Sequence, residues 1–527
     1  MINTKYIMNH SLLVLCLVLV LPDLKAESNG TGQIIKVSLQ KRIPSELDEG
    51  AFIMVNEIQE WKGDETAIII CDMWDKHWCT GATRRVAEMA PFMNHVVSTA
   101  REKGVLIVHA PSDCMEYYND HPARESGKKY KFKNVEKKLG DGTLESEAGA
   151  DWPFEISGGG CDDHPQCEIG KAWTKQIESL EIVEGDVITD SGIEAGSLFM
   201  KKGIKNVILV GVHTNMCVIG RSFGLRNMRR LGMNVVLMRD MTDTMYDAAS
   251  WPNVSHFTGN SLMHEYIEKY VCPTMVSCDF TGKKQFRFNN DTRRVIAFVT
   301  AEGEYGANQG LPEFAHELLL RKNVNCEFAL GKPVMRGEGR HNIENLQILN
   351  DADLAIFFVR RRAMEPEKMA LIKDYVTGGK PVLGIRTANH AFDVRDNDSS
   401  ILEDWPEFDN EILGGNYHGH YGRIKEGMEV SIVPGMESHS LLKGVNPEGF
   451  TSLCTLYEVR PMKSDNAQVL LLGTIPEKPQ EPVLWINRNR YGDAIYTSLG
   501  HLEDWENESF RHIIINSVEY LLDSKLK

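Results

Sequence analysis

From residue 60 to 275 short, nearly unbroken apolar runs alternate with amphipathic stretches. The runs Thr66–Cys71, Val105–His109, Asp186–Thr189, Asn206–Val212 and Asn234–Met238 predict strands, and helical spacing predicts helices over Thr83–Lys103, Ile193–Lys202 and Val218–Leu231. Strands that are apolar throughout, rather than at every second position, are covered on both faces, which is the mark of a parallel sheet between helices. After the polar stretch Thr281–Thr292 a second series begins, with strands expected at Arg294–Val299, Cys326–Leu330, Leu354–Val359, Pro381–Ile385, Val469–Leu472, Val483–Asn487 and Ala494–Ser498. A closing amphipathic helix, Ser509–Leu522, should dock on that second sheet. The expected fold class is α/β: two doubly wound, mostly parallel three-layer α/β/α domains in tandem, over residues 60–278 and 290–527. A chain of 527 residues is too long for one core, which fits this division.

The amino end reads differently. Lys5 precedes an apolar run from Leu12 to Leu21, broken by Pro22 and followed by Lys25-Ala26-Glu27-Ser28. This pattern predicts a cleaved signal peptide over residues 1–26 and a secreted or periplasmic protein. No later run approaches the roughly 20 apolar residues of a membrane-spanning helix, so no transmembrane segment is expected. The net charge of −16, with no basic face, excludes nucleic acid as a partner. The short basic run from Lys128 to Lys138 reads as a solvated loop or as a docking patch. Of the eleven cysteines only Cys16 lies in the leader, and in an oxidising compartment Cys161 with Cys167, and Cys272 with Cys278, are candidates for bridges. Neither pair has metal-finger spacing, and connectivity stays open, as does a homo-oligomeric state.

In parallel sheets ligands bind beyond the carboxyl ends of the strands, so polar residues that end apolar strands are the first candidates for chemistry. Asp72 closes Ala67-Ile68-Ile69-Ile70-Cys71, and Cys217 follows Val207-Ile208-Leu209-Val210-Gly211-Val212 through the turn His213-Thr214-Asn215-Met216. A helix from Val218 would place Cys217 at its amino end, where a thiolate is favoured. A carboxylate such as Asp72 could take the thiol proton. The ordinary alternatives are a buried small apolar residue for the cysteine and a turn cap for the aspartate. The long connection from Ala110 to Leu180 is expected to wall or lid a pocket.

The segments Ala67–Trp74 and Gly203–Val218, continuing through Val235–Asp243, resemble the isochorismatase-like cysteine hydrolases. The resemblance implies a Cys217 nucleophile assisted by Asp72, and a thioester formed at an amide or related acyl carbon. It further implies an oxyanion held by backbone N–H groups at the turn from His213 to Met216, and a cis peptide joining Val212 to His213. It also implies a lysine after the strand Val187-Ile188-Thr189, where this chain has Asp190-Ser191-Gly192. Lys171, Lys175 or a residue of the basic run from Lys128 to Lys138 are the candidates to fold back and substitute. Some relatives bind a divalent metal through Asp and His; His109, Asp113 and His121 occupy comparable territory, so a metal cofactor is left open and not predicted.

Residues 293–523 resemble the ThuA-like (trehalose utilisation) family, of class I glutamine-amidotransferase-like fold, through Leu349–Leu354, Ala370–Thr387, Leu413–His420 and Thr497–His501. The nucleophile elbow of the amidotransferases is occupied here by Arg386, Thr387 and Asn389, which argues against glutaminase activity. His390, His418, His420, Glu458 and His501 are the candidate substrate-binding residues, and the resemblance implies a carbohydrate-related ligand. The expectation is an exported hydrolase acting on a small amide or carbohydrate-derived substrate. Its competitors are a non-catalytic ligand-binding scaffold and sugar-directed chemistry in the second domain.

Overall fold

The computed structural model describes residues 32–337, 339–395, 401–423 and 426–523; the expected signal peptide, residues 1–26, lies outside them. Within Gly32–Lys527 the chain forms one compact unit built on two large sheets. The fold class is α/β, with both sheets flanked by helices; the first is mainly parallel, and the second joins a parallel half to an antiparallel one.

The first sheet contains β1 (Ile34–Pro44), β2 (Phe52–Lys62), β3 (Thr66–Cys71), β4 (Leu106–Ala110), β5 (Val187–Ile188), β6 (Asn206–Val212), β7 (Asn234–Asp243) and β8 (Thr274–Met275), in the order β2-β1-β8-β7-β6-β3-β4-β5. From β8 to β5 every neighbouring pair is parallel. β3 shows why its residues are apolar throughout: Ala67, Ile69 and Cys71 enter the core on one face, Ile68 and Ile70 the core on the other. The helix α1 (Thr80–Glu102) covers the second of these faces through Val86, Met89, Met93 and Val97.

The hairpin β1–β2 was not expected. Its eleven-residue strands pair antiparallel and carry Lys36, Lys41, Glu57 and Glu60 among the apolar positions, so no continuous apolar run marks them. The hairpin ties the two sheets together, because Met54 packs in the core of the second sheet. Ser45 also donates to Gln309 Oε1 at 2.9 Å.

The second sheet runs β11-β10-β9-β12-β13-β20-β19-β18-β15-β16. Its parallel part consists of β9 (Arg294–Ala301), β10 (Val324–Gly331), β12 (Leu354–Val359), β13 (Val382–Ile385) and β20 (Asp493–Thr497). The strands β19 (Glu481–Arg488), β18 (Ala467–Thr474), β15 (Met428–Ile432) and β16 (Phe450–Ser452) extend it antiparallel, and β11 (Ile343–Glu344) closes the other edge. A separate pair is formed by β14 (Gly419–Tyr421) and β17 (Leu456–Glu458). The closing helix, Glu508–Asp523, buries Phe510, Ile513, Ile514 and Val518 in the second core.

At the junction Arg42 donates to Glu265 at 3.1 Å and to Glu268 at 3.2 Å, all three side chains being buried. His316 meets Glu265 Oε2 at 2.7 Å. Burial pushes the Glu265 carboxyl up, but Arg42 and His316 outweigh it and hold the group down at about 2. A depressed carboxyl stabilises the fold above its unfolded value of 4.5, and that contribution is lost as pH falls toward 2. Arg42→Ala removes the cation shared by two buried carboxylates, leaving Glu265 with His316 and Glu268 with the neutral donors Gln40 and Thr274, and should cost about 3–5 kcal/mol. Urea unfolding at neutral pH checks this, and the deficit should shrink in acid. A charged cavity of about 130 Å³ lies here, lined in part by Arg42, Arg239, His264, Glu265 and Arg293. Neither Asp72 nor Cys217 lines it.

Among the described residues no helix is long and apolar enough to cross a membrane.

Candidate functional site

β3 and β6 are neighbours in register, with Cys71 opposite Gly211. The residues that follow them therefore emerge side by side at the carboxyl edge of the first sheet, Asp72 from one and the turn to Cys217 from the other. Asp72 leaves the strand with φ +47° and is completely buried. Its Oδ1 accepts the Ser112 N–H at 2.7 Å, while Oδ2 has no well-aligned donor among the described residues.

The Val212–His213 peptide is cis. The turn after it is pinned on both sides: Thr214 Oγ1 lies 2.7 Å from Thr242 Oγ1, and Asn215 exchanges hydrogen bonds with Met245 at 2.9 and 3.0 Å. The helix expected over Val218–Leu231 is a π-type turn over Thr214–Val218 followed by a short helix over Leu225–Arg230. Cys217 thus lies inside a tight turn and gains no long helix dipole. Burial, and then the charge of Asp72, push its thiol up to about 12, with Arg221 opposing them. Burial raises Asp72 to about 6. At neutral pH the resting pair is a thiol beside a carboxylate, each close enough to shift the other, though no well-aligned hydrogen bond joins them.

The Met216 N–H already donates to His213 O at 3.0 Å, so it is not a free oxyanion donor in this state. The His213 ring is buried, with Nε2 unpartnered among the described residues, and burial pulls its pKa down so that it stays neutral.

The cation that sequence reading could not place is Arg221, four residues beyond Cys217. Its Nε lies 3.8 Å from Asp72 Oδ2, and its Nη2 donates to Asp113 at 2.6 Å. Lys171 and Lys175 do not substitute: the first donates to Asp113 O at 2.6 Å and the second pairs with Glu178 at 2.5 Å. The i+4 spacing from Cys217 was the available signal for Arg221, since such a spacing returns a side chain to the same side of a helical turn.

The connection Ala110–Leu180 folds back over this edge. Ile177 donates to Met73 O at 2.8 Å, and Trp173 stacks on Trp74 with ring centroids 4.1 Å apart. Cys217 packs against this same cluster. The three residues considered for a metal are engaged separately. His109 binds Gln176 at 2.9 Å and Asp186 at 3.0 Å, Asp113 pairs with Arg221, and His121 caps a helix by accepting the Ala123 N–H at 3.1 Å.

In the second half Arg386 follows β13 with φ +49° and is fully buried. Its guanidinium donates to Thr455 O at 3.0 Å, Thr455 Oγ1 at 2.6 Å and Ser498 O at 2.5 Å, and lies 3.8 Å from the Tyr457 ring centroid. The elbow is a structural bracket in place of a nucleophile. Beside it an open cavity of about 400 Å³ is lined by His390, His420 and Glu458 together with Arg360, Arg361 and Tyr417. His390 stacks on Tyr417 at 4.5 Å, and His418 Nε2 lies 3.9 Å from Glu458. His501 does not join them. It caps the turn Leu502–Glu506, its Nδ1 accepting the Glu503 N–H at 3.4 Å, because a ring nitrogen there satisfies an otherwise orphaned amide. Arg360 and Arg361 were missed because they sit on a loop with no pattern to mark them.

Fold and site together define a two-sheet α/β protein with a Cys–Asp–Arg cluster at one sheet edge and a polar, tyrosine-lined cavity beside the other sheet. The ThuA family, described as trehalose utilisation, matches residues 313–521. Among solved structures, a ThuA-like protein from Bacteroides uniformis ATCC 8492 is 15% identical over 46% of this chain and 95% of its own, with a TM-score of 0.33. A cysteine hydrolase from Pseudomonas syringae pv. phaseolicola 1448A is 18% identical over 42% of this chain and 92% of its own, with a TM-score of 0.26. An isochorismatase from Pseudomonas putida KT2440 is 13% identical over 42% and 92%, also with a TM-score of 0.26. No curated protein matches the chain.

Proposed function

We propose that residues 60–278 form a cysteine hydrolase acting at an amide or related acyl carbon, exported to the periplasm or medium and joined to a carbohydrate-linked domain over residues 290–527. The observation that carries this reading is the convergence of Asp72, Cys217 and Arg221 at adjacent strand ends. In the reaction Cys217 Sγ attacks the carbonyl carbon while its proton passes to Asp72. The C–N bond then breaks, and the amine leaves with the proton from Asp72. Water attacks the thioester, giving its proton to Asp72; the C–S bond breaks and the proton returns to sulfur. The raised carboxyl suits both transfers, since a base poised near the working pH gives and takes a proton readily.

Arg221 supplies the positive charge that the missing lysine would give, and it weighs against the scaffold reading. Arg221→Met should lower kcat/KM roughly 10²-fold, comparable to losing one electrostatic donor. Arg221→Lys should recover part of the loss. Initial rates on a panel of small primary amides and N-carbamoyl compounds test this; equal rates for wild type and Arg221→Met would remove arginine from the mechanism.

The cavity beside Arg386 supports a sugar-bearing ligand for the second domain, because Tyr417 and Tyr457 offer ring faces while His390, His420 and Glu458 offer partners for hydroxyls.

A further inference from the structure

None of the four cysteines considered for local bridges is bonded: Cys161, Cys167, Cys272 and Cys278 are free thiols. The fold instead brings Cys161 and Cys167 to Cys79, a residue of the strand-to-helix loop that no sequence pattern connected to them. All three belong to one small cluster under Trp78 and Met245. Cys79 is the N-cap of α1, its Sγ accepting the Ala82 N–H at 3.4 Å. Asp163 reaches the same point: its Oδ2 lies 3.5 Å from Cys79 Sγ and 3.5 Å from Cys167 Sγ. Ligand atoms of Cys79, Cys161 and Asp163 all lie within 4.8 Å of one another.

The sulfur–oxygen spacings match a tetrahedral ion held by Cys79, Cys161 and Asp163, and Cys167 adjoins this group through Asp163. With metal–sulfur bonds of about 2.3 Å and a metal–oxygen bond of about 2.0 Å, the sulfur–oxygen edge of a tetrahedron is about 3.5 Å. The supporting shell is in place. Thr80 Oγ1 and the Gly81 N–H donate to Asp163 Oδ2 at 2.7 and 2.6 Å, and Arg84 donates to Oδ1 at 2.9 Å. Such contacts orient a carboxylate ligand. We propose that Cys79, Cys161, Cys167 and Asp163 form a structural site for zinc(II), which anchors the loop over residues 158–167 to the start of α1.

Binding converts three thiols to thiolates and releases three protons, leaving a complex of net charge −2. Arg84 faces it through Asp163. Arg85, which donates to Asp162 at 2.6 Å, and the amino end of the 23-residue helix add further positive potential. The consequence reaches the hydrolase site without depending on it. Arg85 also donates to Asp243 at 2.7 Å at the end of β7, next to Thr242, which holds the turn of Cys217 through Thr214. Zinc at this point would fix the loop that walls the site and would take no part in the chemistry.

The test is metal analysis of the full-length mature chain, purified in the presence of a thiol reductant, followed by cobalt(II) substitution. The expected result is about one zinc per chain and, with cobalt, the intense visible absorption of a tetrahedral thiolate complex. Cys161→Ser and Asp163→Ala should each weaken zinc binding at least tenfold in a chelator competition, with Cys278→Ser as an unaffected control. The cobalt spectrum of the unaltered chain reports on the site even if a variant fails to fold. Absence of zinc would overturn the proposal, as would a Cys79–Cys161 or Cys161–Cys167 disulfide in peptide maps of the chain purified without reductant, or undiminished zinc in Cys161→Ser.

Discussion

Cys217→Ala should lower amide turnover by roughly 10⁴-fold or more, leaving substrate affinity within a few-fold of wild type. Removing a nucleophile that works as a unit with its base costs nearly the whole chemical advantage of the site. No other sulfur can take over. Cys71, next to Asp72 in sequence, is fully buried with its Sγ donating to Val212 O at 3.4 Å, and burial raises its thiol well above the ordinary value. Cys114 is buried as well and donates to Pro111 O at 3.1 Å. The substitution itself should cost about 1 kcal/mol of stability, since it shortens a half-buried side chain by one atom. A single-turnover assay with mass detection of the thioester checks the result, because the adduct should be present in wild type and missing in the variant.

Asp72→Asn should lower kcat by about 10³-fold and at the same time stabilise the protein. The rate falls because an amide cannot accept the thiol proton; general-base contributions are about 10²–10⁴-fold. The stability gain follows from burial. The Asp72 carboxyl is raised from 3.8 to about 6, so ionising it in the fold costs free energy, on the order of 2–3 kcal/mol. A raised acid of this kind contributes nothing unfavourable below pH 3.8, and its cost is complete once pH exceeds about 6. The variant should therefore unfold at higher denaturant than wild type at pH 8, and the difference should vanish near pH 4. Wild-type activity should fall over the same window, as pH drops through about 6. Equal stability at pH 8 would mean that Asp72 is not held at a cost.

These effects depend on parts of the structure that were unequally visible in the sequence. The central strands were legible because both faces are buried, so Thr66–Cys71 and Leu354–Val359 are apolar from end to end. Asp72 and Cys217 were legible for the same reason, as polar residues that end such strands. The β1–β2 hairpin was not, because its charged residues break up the apolar positions. The break in the helix after Cys217 also escaped prediction. The positions from Val218 to Leu231 have helical spacing, but Gly224 takes an extended conformation and interrupts the helix. Arg221 was marked only by its i+4 spacing from Cys217, and the Cys79–Cys161–Cys167 cluster depends on contacts between distant segments, of which one-dimensional spacing holds no record. In the second half, His390, His420 and Glu458 line one cavity, whereas His501 caps a turn outside that lining; a histidine after a glycine reads the same whether it caps a turn or faces a ligand.

The pairing of Asp72 with Cys217 is the central claim, and the pH dependence of Cys217 alkylation tests it most directly, read by intact mass and peptide mapping in wild type and Asp72→Asn. The expected wild-type midpoint lies well above the ordinary thiol value of about 8.5, toward the value of about 12 that burial and the Asp72 charge impose. In Asp72→Asn the midpoint should fall, so that the variant labels faster at pH 8 although it turns over more slowly. An ordinary midpoint that Asp72→Asn leaves unchanged would contradict the pairing and leave Cys217 an isolated thiol.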